Sequence, residues 1–200
     1  MSLPANAKDR FDHLHQVIAS KRFLSKQGLG NEVPFFICPF DASEAFEMEG
    51  DIQRLIRQLG NAGVVALDLN LYDISLSLMQ ERGILDDVLR IEADTTKGEV
   101  KELLQGVLDP AAHIVPRIGQ IIDATPHDVI FLSGVGEVYP YIRSHNVLNN
   151  LQSTAKERPT VMFFPGRYTH ALATGASLDL FALLHDDKYY RAFNILNYEV

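Results

Sequence analysis

Short, continuous apolar runs alternate with longer amphipathic stretches along most of the chain. Such runs are typical of strands buried on both faces, as in a parallel sheet covered by helices. They predict four strands, over residues 33–38, 64–69, 129–132 and 160–164, with Pro39 and Pro165-Gly166 as end points of the first and the last. Two more short strands are expected near the end, within 178–181 and 190–196.

The stretches between these runs repeat apolar residues every third or fourth position, which is the period of an amphipathic helix. Thr96 and Glu99 have the spacing of a capping box, and Pro116 is expected to kink the pattern in which it lies. Helices are predicted over 7–26, from the possible cap Asp41 to Gly60, over 74–79, 84–91, 97–108 and 110–122, and over about 139–151.

The alternation of strands and helices with short joints predicts an α/β fold, a three-layer sandwich with a mostly parallel central sheet of about five strands. It would resemble a nucleotide-binding fold that lacks the phosphate-binding loop. The 200 residues suit a single domain over 1–200. Within it, Gly28-Leu29-Gly30-Asn31 ends the first helix, so residues 1–30 are interpreted as a helix with a hinge.

Composition narrows the class of protein. The net charge is −8, which disfavours sequence-independent binding to nucleic acid because a polyanion repels an acidic protein. The single cysteine, Cys38, excludes an internal disulfide, and no apolar run approaches the roughly 20 residues of a membrane helix. With no apolar stretch like a signal peptide at its start, the chain is expected to be cytoplasmic.

The charge is unevenly distributed. Residues 1–30 are mainly basic, whereas residues 41–51 hold five acids and no base. Two interpretations stay open: a solvated basic helix beside a solvated acidic turn, or an N-terminal arm that docks an acidic partner. A third, contact with nucleic acid through this arm, is disfavoured by the overall charge. The arm's candidate partner-binding residues are Arg10, Phe11, Lys21 and Arg22.

Nucleotide binding is the next question that such a fold raises. A phosphate loop needs glycines with converging N–H groups and a Lys-Ser/Thr pair, yet the first strand leads into Pro39-Phe40-Asp41 and no Gly-Lys-Ser/Thr occurs. Gly134-Val135-Gly136 matches half of a dinucleotide fingerprint, but Tyr139 stands where the third glycine belongs. The residues kept as weak ligand-binding candidates are Asp41, Asp68, Ser133, Gly134, Gly136 and Glu137.

No catalytic set assembles from the sequence. Ser133 is not in a Gly-x-Ser-x-Gly elbow, and Cys38 reads as a buried core residue with no identifiable base. His13 and His15 are two apart on a helix and face different directions. We therefore expect no enzymatic activity, no cofactor and no metal site.

Two segments are candidates for binding a partner. Arg143, Asn146 and Asn150 share a helical face, preceded by Tyr139, and asparagines are unusual inside a helix. Tyr190 and Arg191 are residue types that dominate protein interfaces. The alternatives also stay open: a site for a small anion or a solvated polar face with capping asparagines for the first segment, and aromatic core packing for the second.

Several of these segments resemble a known family. The stretches Val33–Asp41, Phe131–Asn146, Pro159–Gly166 and Tyr189–Asn194, and above all Gly134-Val-Gly-Glu-Val-Tyr-Pro140, are similar to the BrxB family of the BREX (bacteriophage exclusion) defence systems. The resemblance runs over essentially the whole chain. It implies a cytoplasmic bacterial protein that acts through complexes with other BREX proteins, most of all the alkaline-phosphatase-like PglZ, and it brings no catalytic residues.

The sequence thus leads to one hypothesis and one alternative. The hypothesis is a non-catalytic adaptor of a BREX phage-defence system. The alternative is a degenerate nucleotide-binding domain that retains nucleotide binding or hydrolysis near Asp41, Asp68 and residues 133–137.

Overall fold

The computed structural model describes residues 6–27, 34–171, 175–184 and 192–199. Its centre is a six-stranded sheet of order β2-β3-β4-β1-β6, with β5 paired to the far half of β4. Every pairing along this path is parallel, and only β4 with β5 is antiparallel. The predicted α/β sandwich is confirmed. The strands are β1 Phe35–Phe40, β2 Ala66–Asn70, β3 Val129–Ser133, β4 Thr160–Ala171, β5 Gly175–Leu180 and β6 Phe193–Asn194.

Helices cover both faces of this sheet. The α-helices of the described residues are α1 Ala7–Ile18, α2 Lys21–Leu24, α3 Ala45–Asn61, α4 Leu71–Glu81, α5 Leu85–Asp94, α6 Lys97–Val107, α7 Val115–Ala124 and α8 Ser144–Leu151. The capping box of Thr96 with Glu99 forms as predicted at the start of α6. A π-helical turn, Pro110–Ile114, precedes α7 and leaves Pro116 in the first turn of that helix, where its missing N–H is tolerated. Among the described residues, no helix combines the length and apolarity needed to span a bilayer.

The sheet separates two apolar cores, as strand alternation requires. In β4, Met162 and Phe164 join the core shared with α4 to α8, whereas Val161 and Phe163 join the core shared with α1 and α3. All four side chains are buried. The sheet is therefore the middle of three layers, and its carboxyl edge is the place where its polar side chains can meet.

The N-terminal helix predicted over 7–26 is two helices. The Ser20 hydroxyl donates to the Val17 carbonyl (2.7 Å) and accepts from the Phe23 N–H (3.2 Å), so it ends α1 and caps α2. Both helices turn apolar side chains, Val17 and Phe23 among them, into the core.

Pro39 does not end the first strand, contrary to expectation. It lies inside β1, paired in register with Phe164 of β4. On the other side of β1, β6 pairs only with Phe36 and Ile37, so no strand needs an N–H from Pro39 there.

Pro165-Gly166 does not end the fourth strand either. The strand continues to Ala171, and its register partner changes from β1 to β5 at this point. Gly166 has φ 159°, and a Cβ atom on it would lie 2.2 Å from the Asp179 carbonyl oxygen. The glycine thus lets β4 pass from the central sheet into the β4–β5 hairpin.

The helix predicted from residue 139 begins later, at Ser144. Residues 134–143 instead form turns that bury Val135, Val138 and Ile142, with a cis peptide bond between Tyr139 and Pro140. Burial of these three side chains favours the irregular path over an earlier helix start.

Candidate functional site: an acidic cleft at the carboxyl edge of the sheet

A cleft of about 320 Å³ opens where β1, β2 and β3 end and where β4 leaves the central sheet. It is bounded by the first half of α3, by the start of α4 and by the turn after β3. Open parallel sheets bind ligands at this edge because the loops that follow the strands diverge there. The side chains that give the cleft its chemistry are Glu49, Gln53, Asp68, Asp73, Ser133 and Glu137.

Asp68, near the end of β2, is the centre of this polar group. One carboxylate oxygen accepts from the Ser133 hydroxyl at 2.9 Å, and the other accepts from the Gln53 side-chain amide, also at 2.9 Å. Ser133 is buried on β3, directly beside β2. Burial raises the pKa of Asp68 above its usual value, while these two hydrogen bonds and the charges of Asp73 and Glu49 act as smaller influences.

Three further carboxylates face the cleft. Glu49 comes from α3, Asp73 from α4 and Glu137 from the turn after β3. Partial burial raises the pKa of Glu137, and repulsion from Glu49 and Asp73 adds to the rise. Among the described residues that line the cleft there is no Lys or Arg, so its electrostatic preference is for a cation.

No group of three or more His, Cys, Asp or Glu side chains is close enough to hold a metal ion in the part of the chain that the structure describes. The carboxylates instead stand apart around an apolar floor that includes Phe40, Ile52 and Phe163.

The turn after β3 is built for close packing. Gly134 has φ 70°, and its Cα lies against Asn70, whose side chain caps α4 by accepting from the Tyr72 and Asp73 N–H groups. A Cβ atom on Gly136 would lie 3.0 Å from Pro165 Cγ. Each glycine brings the backbone close to a neighbouring strand, Gly134 to the end of β2 and Gly136 to the middle of β4, which accounts for the half-matched dinucleotide pattern.

The structure brings together five of the six ligand-binding candidates, namely Asp68, Ser133, Gly134, Gly136 and Glu137. Asp41 lies outside this group, in a neighbouring groove beside Arg167. It caps the turn Ala42–Glu44, accepting from the Ser43 N–H (2.9 Å) and hydroxyl (2.7 Å), and these bonds lower its pKa. Asp41 thus acts as a cap, whereas Glu44, which has the spacing to complete a capping box with it, pairs with Arg10 instead.

Sequence reasoning missed Glu49, Gln53, Asn70 and Asp73. Asn70 and Asp73 carried a usable signal, because Asn followed three residues later by Asp at a strand end is a helix start. Glu49 and Gln53 carried none beyond helical spacing, which places them on one face of α3.

The partner-binding candidates of the N-terminal arm divide into two kinds. Phe11 is buried beneath the Arg54 guanidinium (4.3 Å from the ring centroid), and Arg10 is mostly buried in an ion pair with Glu44 (2.8 Å). Lys21 and Arg22 are exposed, and Arg22 lies 5.7 Å from the centre of the Tyr198 ring. A partner can reach only the second pair without unpacking the core.

The polar face of α8 lies away from the cleft lining. Arg143 is exposed and stacks its guanidinium 5.2 Å from the Tyr139 ring centre, and the Asn150 amide donates to the Asn146 carbonyl at 2.7 Å. The Asn150 side chain is thus hydrogen-bonded within its own helix, whereas the Arg143 side chain is accessible to a partner. Tyr190 and Arg191 lie outside the described residues.

Comparison with known proteins defines the family. Residues 67–195 match the family model described as BREX protein BrxB. A BREX protein BrxB of Bacillus cereus (strain H3081.97) is 32% identical over 191 residues, covering 94% of this chain and 97% of that protein. The chain belongs to the BrxB family. A second BrxB, of Escherichia coli O9:H4 (strain HS), is 28% identical over 187 residues, covering 94% of this chain and 90% of the relative. No solved structure matches the chain.

Membership of the BrxB family makes the chain a component of a BREX phage-defence system and confirms the resemblance seen in the sequence. The matched BrxB region includes Asp68, Ser133 and Glu137 of the cleft. Helix α3, which contributes Glu49 and Gln53, precedes that region but falls within a chain that BrxB relatives match over 94% of its length.

Proposed function

We propose that the chain is a non-catalytic adaptor of its BREX system and that it binds another BREX protein at the carboxyl edge of the sheet. The observation that carries this proposal is a pair of exposed apolar side chains on two segments that line the acidic cleft. Phe46 and Leu183 are each 85% exposed, and each belongs to a segment that also lines the cleft. Large apolar side chains in water next to a concave site are typical of a protein-binding surface.

The position of Phe46 follows from helix geometry. It precedes Glu49 by three residues and Gln53 by seven, so all three share one face of α3. Leu183 is in the turn after β5, two residues beyond Phe181 of the cleft wall. We refer to Phe46, Leu183 and the cleft carboxylates together as the edge surface.

The charge of the cleft argues against the nucleotide alternative. A triphosphate needs backbone N–H groups or basic side chains around its phosphates, whereas four carboxylates face this cleft. Calorimetry with ATP and GTP in the presence of magnesium tests that alternative, and saturable binding that is lost in Asp68→Asn would replace the adaptor proposal.

PglZ is the first partner to test, because the resemblance to the BrxB family implies complexes with it. Tagged PglZ and the other BREX proteins of the same system would be co-expressed with the chain and purified. Specific co-purification of one of them is expected. If none binds, either as purified proteins or in co-expression, the adaptor function is wrong.

Matched variants locate the binding surface. Phe46→Ala with Leu183→Ala is expected to weaken the partner complex by about 30-fold or more, the effect of losing a hot-spot residue. Leu89→Ala with Leu103→Ala is the control, since both residues are exposed but lie on α5 and α6. Lys21→Ala with Arg22→Ala tests the N-terminal arm without removing any core residue. An effect confined to that last pair would move the binding surface from the edge surface to the arm.

A further inference from the structure

We infer that the acidic cleft receives an arginine side chain of the partner protein, inserted between Asp68 and Glu137. This inference rests on the proposed adaptor function and specifies the chemistry of the contact. It is drawn from the cleft's charge, its size and the exposed apolar side chains on two segments that line it.

Charge selects a cationic group. Glu49, Asp68, Asp73 and Glu137 reach the cleft from three separate parts of the chain, and no basic residue lines it among the described residues. The carboxylates repel one another, which contributes to the raised pKa values of Asp68 and Glu137. A bound cation would relieve that repulsion, so the cleft and a positively charged side chain are complementary.

Size selects one long side chain. At about 30 Å³ for each water molecule of liquid, a cleft of about 320 Å³ holds roughly ten water molecules. That is ample for the end of a single side chain and lies at the lower limit of pockets that hold small molecules.

The lining favours arginine over lysine. Phe40, Ile52 and Phe163 form much of the floor, and Phe181 forms part of the wall. An arginine stem covers such apolar surface, and its planar guanidinium stacks on aromatic rings while its five N–H donors serve several carboxylates at once. A lysine ammonium is more strongly hydrated and offers only a compact charge.

The surroundings indicate a protein rather than a free amino acid as the source of this arginine. Phe46 and Leu183, both 85% exposed, supply apolar contacts outside the cleft that a single small ligand would leave in water. The expected partner segment therefore carries an arginine with apolar residues on either side, the composition typical of an interface hot spot.

A small probe tests the cleft directly. N-acetyl-arginine amide would be titrated into the isotopically labelled chain, with the backbone amide signals of residues 68–70 and 133–137 followed by nuclear magnetic resonance. Saturable shifts are expected with the arginine derivative and none with N-acetyl-citrulline amide, which has nearly the same shape but no charge. The shifts should vanish in Asp68→Asn and persist in Asp94→Asn, which removes an exposed carboxylate at the end of α5.

Three results would overturn the inference. They are equal shifts with arginine and citrulline, shifts with N-acetyl-lysine amide but not arginine, or the same signals moving with magnesium chloride alone. Should Asp68→Asn unfold, Glu137→Gln replaces it, because Glu137 is exposed and makes no side-chain hydrogen bond that the structure records.

The partner complex separates this inference from the adaptor function. Asp68→Asn with Glu137→Gln should weaken binding to the BREX partner by about 30-fold or more. Unchanged affinity would refute the arginine contact and leave the adaptor function standing. Absence of any BREX partner for the unsubstituted chain would refute the adaptor function whatever the arginine derivative does.

Discussion

Gly134 lies so close to Asn70 that a Cβ atom on the glycine would be 2.3 Å from Asn70 Oδ1. Its φ of 70° is also a conformation that residues with a side chain rarely adopt. Gly134→Ala should therefore displace the Asn70 cap of α4 and lower the free energy of unfolding by about 1–3 kcal/mol. Urea denaturation measures this loss.

Gly50→Ala is the matched control for this substitution. Gly50 lies inside α3, and no atom is within 4 Å of the position that its Cβ would take. Alanine there should raise the free energy of unfolding by about 0.5–1 kcal/mol, because it favours the helix. If the two substitutions changed the free energy of unfolding equally, the close approach of Gly134 to Asn70 would not affect stability.

The raised pKa of Asp68 predicts how stability depends on pH. Because the folded chain holds this proton more tightly than the unfolded chain does, ionising Asp68 disfavours folding. The stability that protonated Asp68 contributes is fully present below pH 3.8, its ordinary pKa. It is lost as the pH rises through the higher pKa that this group has in the folded chain. The free energy of unfolding of the native chain, relative to Asp68→Asn, should thus fall as the pH rises above about 4.

Denaturation of both proteins at several pH values measures that difference. Asp94→Asn serves as the reference for removing a carboxylate outside the cleft. A native chain that gained stability over Asp68→Asn with rising pH would mean that the hydrogen bonds from Ser133 and Gln53, and not burial, control this carboxyl group.

The order of the elements could be predicted from the sequence because strand and helix periods are local properties. The runs around Phe36 and Phe131 are buried on both faces in the structure, as continuous apolar runs indicate. The boundaries at Pro39 and Gly166 were wrong because they depend on neighbouring strands. Proline is tolerated in β1 only because β6 stops before it, and Gly166 continues β4 only because β5 is there to pair.

The cleft was predictable only in part. Asp68 and Ser133 both stand at the ends of apolar runs, and the carboxyl ends of adjacent parallel strands meet at one edge. That β2 and β3 are neighbours is a matter of topology, since nearly sixty residues separate them along the chain. Glu49 and Gln53 reach the cleft through the docking of α3, which local pattern does not specify.

The burial of Phe23 predicts that the N-terminal segment, residues 7–24, is an integral part of the folded core. Its side chain is fully buried, 4.7 Å from the Phe36 ring centre and 5.5 Å from that of Tyr198. Phe23→Ala should lower the free energy of unfolding by about 3–5 kcal/mol, the usual cost of removing a buried aromatic ring. Lys21→Ala, two residues away and exposed, should change it by less than about 0.5 kcal/mol. A mild effect of Phe23→Ala would instead indicate that residues 7–24 can leave the core and act as a separate arm.

The burial of Cys38 predicts that its thiol is unreactive in the folded chain. Burial raises its pKa to about 12, against a smaller opposing influence from Arg10, and its side chain is inaccessible to solvent. Because the thiolate is the reactive form, a maleimide reagent at neutral pH should leave the native protein unlabelled and modify it in denaturant. The rate of labelling, followed by mass spectrometry, should therefore report the population of unfolded chain.

Cys38→Ser, which places a hydroxyl in the same core position, should remain unlabelled in denaturant and serves as the negative control. Rapid labelling of the native protein would mean that β1 opens at Cys38 without global unfolding, and that the core between the sheet and α1 is less rigid than its packing indicates.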